Sequence, residues 1–156
     1  MMNIRMATPD EDDLLVRHYL KIWDSYGTPP EHYRPDAVAR ILSFISSGRE
    51  QRRLTSFLAI VEGEIAGSVS CQLHQSPFPE VIREEQRLHG YIWSAYVADA
   101  FRRRGIAQAL TGRAADYLKS IGCTTAVLHA SEAGEPVYRT VGFELAKEMR
   151  LQFPAE

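Results

Sequence analysis

The hydrophobic and polar positions of this chain change period several times, and each change marks an element. Asn3 to Met6 alternates over a short stretch and predicts a first strand. Thr8-Pro9-Asp10-Glu11 then predicts a helix start: Thr8 suits an N-cap, Pro9 fits the first turn, and Glu11 completes a capping box. Leu15, Tyr19, Ile22 and Trp23 make the apolar stripe of that helix, which ends before Gly27-Thr28-Pro29-Pro30. A second helix is predicted after Pro35, with Val38, Ile41, Leu42 and Ile45 on its buried face and Gly48 just past its end. Phe57 to Val61 is continuously apolar, Glu62-Gly63 forms a tight turn, and Ile65 to Leu73 alternates, which reads as an antiparallel hairpin. His74 to Gly90 is a polar connection containing Pro77 and Pro79. Tyr91 to Ala98 predicts a central strand with apolar residues on both faces. Arg104 to Ile121 predicts a helix from the spacing of Ile106, Leu110, Ala114, Tyr117 and Ile121. Thr124 to Ala130 predicts a strand, and a short helix contains Pro136 to Val141. Glu144 to Ala146 and Glu148 to Phe153 predict final strand pieces. The resulting class is a mixed α/β sheet, parallel where a helix joins two strands.

Composition narrows what such a chain does. Its 156 residues, 45% hydrophobic and 24% charged, fit one globular domain spanning 1–156. A net charge of −2 argues against whole-surface binding of nucleic acid. Two cysteines, Cys71 and Cys123, make neither a disulfide scaffold nor a zinc spacing, so no metal is expected. Acidic residues stand in Met1 to Asp13 where a signal peptide needs an apolar run, and no run approaches a membrane span. The expectation is a soluble, cytoplasmic protein with no membrane partner.

The chemically informative segment is Val97 to Ala107, where a strand ends and a helix opens at a glycine flanked by arginines. The first N–H groups of a helix lack internal partners, and the helix dipole places partial positive charge beside them. A phosphate or diphosphate there accepts hydrogen bonds from the backbone itself, while Arg102, Arg103 and Arg104 add cationic donors. The bland alternative is a solvated basic turn. The spacing is neither that of a Walker loop nor that of a dinucleotide fingerprint.

A second segment, Pro136-Val137-Tyr138-Arg139-Thr140-Val141-Gly142-Phe143, changes that balance. Arg102-x-x-Gly105-x-Ala107 followed by Tyr138-x-x-x-Gly142-Phe143 resembles the paired signatures of the GNAT superfamily of acyl-CoA-dependent N-acyltransferases. The motifs occupy residues 90–145, and the order of elements extends the resemblance along nearly the whole chain. It implies the acyl-CoA N-acyltransferase fold: a twisted mixed sheet with splayed central strands, flanked by about four helices. It implies an N-acetyltransferase that uses acetyl-CoA as cosubstrate and passes the acetyl group directly to a primary amine of a small molecule or peptide. The amides from Arg103 through Ile106 to Ala107 would take the coenzyme diphosphate, Val97 the pantetheine, and Ala95 the thioester carbonyl. Ser131 stands where many relatives have an asparagine bonding the pantetheine; it could do the same or cap the following helix. Tyr138 would protonate the departing thiolate, its phenol being protonated at neutral pH; alternatively it is an aromatic at the core edge.

Two questions stay open in sequence. Several relatives carry a glutamate six residues before the position of Val97, where this chain has Tyr91. The weak substitutes for that base are His74, Glu85 and His89, whereas His129 reads as a satisfied buried histidine and His18 as one explained by packing or by a surface tip. By the resemblance the acceptor pocket would draw on Trp23, Tyr26, Tyr33, Phe78, Glu80, Glu84 and Glu85, a set that suits a cationic amine and equally suits aromatic packing beside a solvated acidic run. A homodimer is a guess from the resemblance and the aromatic content. The rival reading is a non-catalytic acyl-CoA-binding sensor; a nucleic-acid binder using the three arginines stands third.

Overall fold

Alternating and continuous apolar runs need neighbours on both edges, and the chain supplies them in order. The computed structural model describes residues 1–155. Strands β1 (Met2–Met6), β2 (Thr55–Val61), β3 (Glu64–Leu73), β4 (His89–Val97) and β5 (Thr125–Val127) form one sheet in the order β1-β2-β3-β4-β5. The first four are antiparallel to their neighbours, and β5 runs parallel to β4. Helices α1 (Asp12–Ser25) and α2 (Ala37–Gln51) follow β1, α3 (Ile106–Ser120) joins β4 to β5, and α4 (Glu135–Val141) follows β5. The single helix between β4 and β5 gives the parallel pair, whereas the two helices between β1 and β2 bring the chain back antiparallel, which corrects the expectation of parallel pairing wherever a helix joins two strands.

Local chemistry explains most of the joints. Glu62 and Gly63 both adopt positive φ, 53° and 79°, the two-residue hairpin geometry that matches strand twist. At the first helix the Thr8 N–H donates to Glu11 Oε1 at 2.9 Å, after which one 3-10 turn, Pro9–Glu11, leads into α1. Arg5 grips the same carboxylate through two hydrogen bonds of 2.9 and 2.8 Å. With that guanidinium bonded to it, the Glu11 carboxyl titrates at about 2.

The sheet separates two apolar clusters. On one face Phe57, Val69, Cys71 and Ile92 pack against Ile106, Leu110, Ala114 and Leu118 of α3. On the other, Leu58 and Leu54 pack against Leu15 and Val16 of α1 and Ile41 and Ile45 of α2. Phe57, Leu58 and Ala59 are fully buried because β2 has helices over both faces.

Three expectations fail here. Gly48 lies inside α2 rather than beyond it: an added Cβ would sit 2.7 Å from Leu54 Cδ1, so the glycine permits a close approach. Val38 is exposed and not part of the buried stripe. The pieces Glu144 to Ala146 and Glu148 to Phe153 form no strand among the described residues. Leu145, Met149, Leu151 and Phe153 are exposed, and the adjoining edge strand, β5, is only three residues long. Alternation alone does not make a strand without a neighbour to complete its hydrogen bonds.

Candidate active site

The register of β4 creates the site. Ser70 faces Trp93 while Ser68 faces Tyr96, so Ser94 and Ala95 together oppose Val69 in a bulge, with Ser94 at φ 56°. A bulge leaves its extra residue outside the ladder and re-aims the strand. On the other side, pairing of β4 with β5 ends at Tyr91 and Val127, although β4 continues to Val97. Beyond that point the two strands part. A cleft of about 1010 Å³ opens between them, with Ile92 to Val97 on one wall and Leu128, His129 and Ser131 on the other.

The floor of the cleft is the start of α3. A 3-10 turn, Asp99–Phe101, anchored by buried Phe101, leads from β4 to Arg103 and Gly105, whose φ values are 64° and 76°. Gly105 stands in open space, so its backbone conformation rather than crowding calls for glycine. The first backbone bond of the helix is Ala109 N–H to Gly105 O at 3.1 Å. Among the described residues, the N–H groups of Arg103, Arg104, Gly105, Ile106 and Ala107 have no backbone partner. Such a row of unpaired donors at a helix start suits an anion with several oxygens.

The three arginines separate by position. Arg103 lines the cleft. Arg102 also lines it, but folds back, donating from Nε to Val97 O at 3.4 Å and pairing with Asp99 at 3.0 Å. Arg104 is off the cleft wall, its guanidinium 5.3 Å from the Phe101 ring centroid. The Arg104 N–H has no backbone partner, but its side chain is not on the cleft where a cationic donor was expected.

Opposite this floor, α4 presents Tyr138 to the cleft. The Tyr-x-x-x-Gly-Phe spacing has a local cause. Gly142, at φ 116°, ends α4 in the left-handed conformation, and the Phe143 N–H turns back to Tyr138 O at 3.1 Å. Phe143 thereby packs edge-on against the Tyr138 ring at 6.3 Å. Burial pushes the Tyr138 hydroxyl above the ordinary phenol range, so it carries its proton at neutral pH. Ser131 caps the approach to α4, its Oγ accepting from Gly134 N–H at 3.1 Å while the residue lines the cleft.

Sequence reasoning placed Ala95, Val97, Arg102, Arg103, Arg104, Gly105, Ile106, Ala107, Ser131 and Tyr138 at the site; the cleft lining brings together all of these but Arg104. It did not anticipate Lys21, Ile22 and Ser25 on the last turns of α1, which line the cleft beside Tyr26. Of the acceptor candidates only Tyr26 is on this wall; Phe78 and Glu80 line a smaller pocket with Arg52 and His74. The three base candidates, His74, Glu85 and His89, are also off the cleft wall.

The two remaining histidines go different ways. His18 is buried, its Nδ1 2.7 Å from Ser68 Oγ, and burial together with nearby Lys21 and Arg17 lowers its pKa to about 4. His129 corrects the packed-histidine expectation. β5 stops at Val127, so His129 falls past the strand, on the cleft wall, with its side chain 52% exposed. Its Nδ1 meets the Tyr91 hydroxyl, and its Nε2 lies 3.3 Å from Glu148 Oε1.

Among the described residues, no group of three or more His, Cys, Asp and Glu side chains is arranged to hold a metal ion, and no helix is long and apolar enough to cross a membrane. The family profile of the acetyltransferase (GNAT) family matches residues 16–143. The crystal structure of a GCN5-related N-acetyltransferase from Ralstonia eutropha JMP134 is 26% identical, with 98% of this chain and 99% of that chain covered and a TM-score of 0.80. That of a predicted acetyltransferase with acetyl-CoA from Clostridium acetobutylicum is 24% identical, covers 98% and 96%, and has a TM-score of 0.81. That of glucosamine-6-phosphate N-acetyltransferase from Arabidopsis thaliana is 16% identical, covers 98% of each chain, and has a TM-score of 0.67. A search of curated protein sequences returns no match.

Proposed function

The chain belongs to the acetyltransferase (GNAT) family, and from that premise we propose that it transfers the acetyl group of acetyl-CoA to a primary amine of a small molecule or peptide, by direct attack within a ternary complex. The observation that carries this reading is the row of unpaired N–H groups from Arg103 to Ala107 at the floor of the cleft that also holds Tyr138.

Each wall has a task in that reaction. The α3 amides and Arg103 hold the diphosphate, by many modest contacts, since the dipole itself contributes only about 0.3–1 kcal/mol, or ~2 in partly buried geometry. The β4 edge runs along the pantetheine, with Val97 bonding it through the backbone and the Ser131 hydroxyl facing it. The bulge at Ser94 and Ala95 frees backbone from the ladder where the thioester carbonyl gathers negative charge, and the Ala95 N–H donates to that oxygen. The Tyr138 hydroxyl, kept protonated by burial, donates to the departing sulfur. The amine enters between Trp93 and the end of α1, past Ile22, Ser25 and Tyr26.

Calorimetric titration with acetyl-CoA tests the reading. One-site saturable binding is expected, with at least tenfold weakening in Gly105→Glu, since a side chain at φ 76° disrupts the helix start and its charge repels phosphate. Tyr138→Phe should keep the affinity and lose about 10²-fold or more in thiol release. Binding without turnover of any amine would leave a sensor of acyl-CoA; absence of binding in folded protein would remove the coenzyme altogether.

A further inference from the structure

The acetyl transfer proposed above needs a group to take the proton that the attacking amine loses, and none of the residues assigned so far does so. Three side chains from three parts of the chain meet at the edge of the cleft: His129, past the end of β5, lines it, and Tyr91 on β4 and Glu148 in the C-terminal segment bond to His129 from behind that lining. Their chemistry fixes the direction of the hydrogen bonds. Glu148 is bonded by His129 and Arg150, which hold its carboxyl below the usual range, so it is ionised and can only accept. The His129 Nε2 must therefore carry a hydrogen. In the neutral ring the lone pair is then on Nδ1, and the Tyr91 O–H is the donor that fills it. Burial keeps Tyr91 protonated, as this direction requires.

We propose that Tyr91, His129 and Glu148 form the proton relay of the transfer reaction, a reading that rests on the acetyltransferase assignment of the cleft. As the amine nitrogen bonds to the thioester carbonyl carbon, its N–H proton passes through one water to the Tyr91 oxygen. The proton already on Tyr91 passes to His129 Nδ1. The imidazolium so formed lies against the Glu148 carboxylate. The C–S bond breaks as the sulfur takes the Tyr138 proton; solvent then restores Tyr138 and relieves His129, whose half-exposed ring lets water reach it. The relay is faced by Tyr19 from α1, by His74, whose ring centroid is 5.4 Å from that of Tyr91, and by Arg150 through Glu148. A structural role for the triad would be to tie the C-terminal segment to the sheet, and it would leave proton transfer untouched.

The test combines three readouts on the full chain and on Tyr91→Phe, His129→Gln and Glu148→Ala. Long-range 1H–15N spectra report the His129 tautomer; calorimetry reports acetyl-CoA affinity; thiol release from acetyl-CoA, with water and with added ethanolamine as acceptors, is followed against pH. Expected are an Nε2–H tautomer in the wild type, lost in Glu148→Ala, and unchanged acetyl-CoA affinity throughout. Thiol release should fall about 10²-fold in Tyr91→Phe and His129→Gln, and less in Glu148→Ala. The acid limb of the pH profile should be lost in the reaction with water, whereas the ethanolamine reaction keeps the limb set by its own ammonium group. An Nδ1–H tautomer in the wild type, or a Tyr91→Phe enzyme with the wild-type pH profile and rate, overturns the relay while leaving the coenzyme site standing. Failure of the wild type to bind acetyl-CoA or to release thiol above the uncatalysed rate overturns both readings together.

Discussion

The two faces of the sheet are built on different terms. Under α3 the contacts are mostly apolar: Phe57, Val69, Leu110, Ala114 and Leu118 are all at most 1% exposed, with Thr111 buried among them and the Arg113 guanidinium over the Phe57 ring. Under α1 and α2 the same strands bury polar side chains that satisfy one another. Ser56 Oγ lies 2.7 Å from Ser70 Oγ, Ser68 Oγ lies 2.7 Å from His18 Nδ1, and Trp93 Nε1 donates to Gln72 Oε1 at 2.9 Å. The first face tolerates no lost volume; the second tolerates no lost partner. The polar face is the one that leads, through Trp93 and Tyr96, to the cleft.

The difference can be probed by substitution and by pH. Leu110→Ala should cost about 2–5 kcal/mol in urea unfolding, by the same amount at pH 7 and pH 5, because no titrating group is involved. The polar face should show the opposite signature. His18 titrates at about 4 in the fold against 6.5 ordinarily, so below pH 6.5 the unfolded chain binds the proton that the native ring refuses. The stability this represents, roughly 3 kcal/mol, is whole above pH 6.5 and is lost as pH falls towards 4. Glu11, held at about 2 against an ordinary 4.5, begins to lose its own contribution as pH falls through 4.5, so the histidine's share is the part of the slope that His18→Gln removes. A His18→Gln variant with an unchanged pH slope between 6.5 and 4 would break the distinction between the faces. The smallest effect expected is Ser56→Ala, about 1–2 kcal/mol for leaving the Ser70 hydroxyl unpaired in the core. The Ser56→Ala, Ser70→Ala double variant should lose less than the sum of the two single losses, which a double-mutant cycle measures.

What the sequence made legible was what local geometry decides. The hairpin at Glu62-Gly63 and the helix start at Gly105 are set by residues that take positive φ, and both are read directly from the chain. Tyr138-x-x-x-Gly142-Phe143 is likewise a local device, a helix end that lays one aromatic ring on another. What escaped depends on neighbours distant in sequence. The bulge at Ser94 and Ala95 exists only in the register of β4 against β3. His129 sits in a run that reads as strand to Ala130, yet pairing with β4 ends at Val127 and turns it from a packed residue into a cleft wall. Gly48 looked like a helix stop because nothing in sequence announces that Leu54 folds back over it. Lys21 reaches the cleft because α1 packs against β4, a contact that its own periodicity does not encode.

Spatial order and chain order coincide across the whole sheet. No strand has to be threaded between two others already paired, so the sheet can grow by accretion as the chain emerges from synthesis. The two-residue connection makes β2–β3 the fastest pair to close, on the microsecond scale of an isolated hairpin. The β1 strand must then return across both helices to its place beside β2, a closure whose entropy rises only slowly with the length spanned. The cleft, framed by the last strand and the last helix, is assembled at the end of that sequence. A chain halted after α3 would hold most of its sheet and the amide row, but not the second wall or the Tyr138 that complete the cleft.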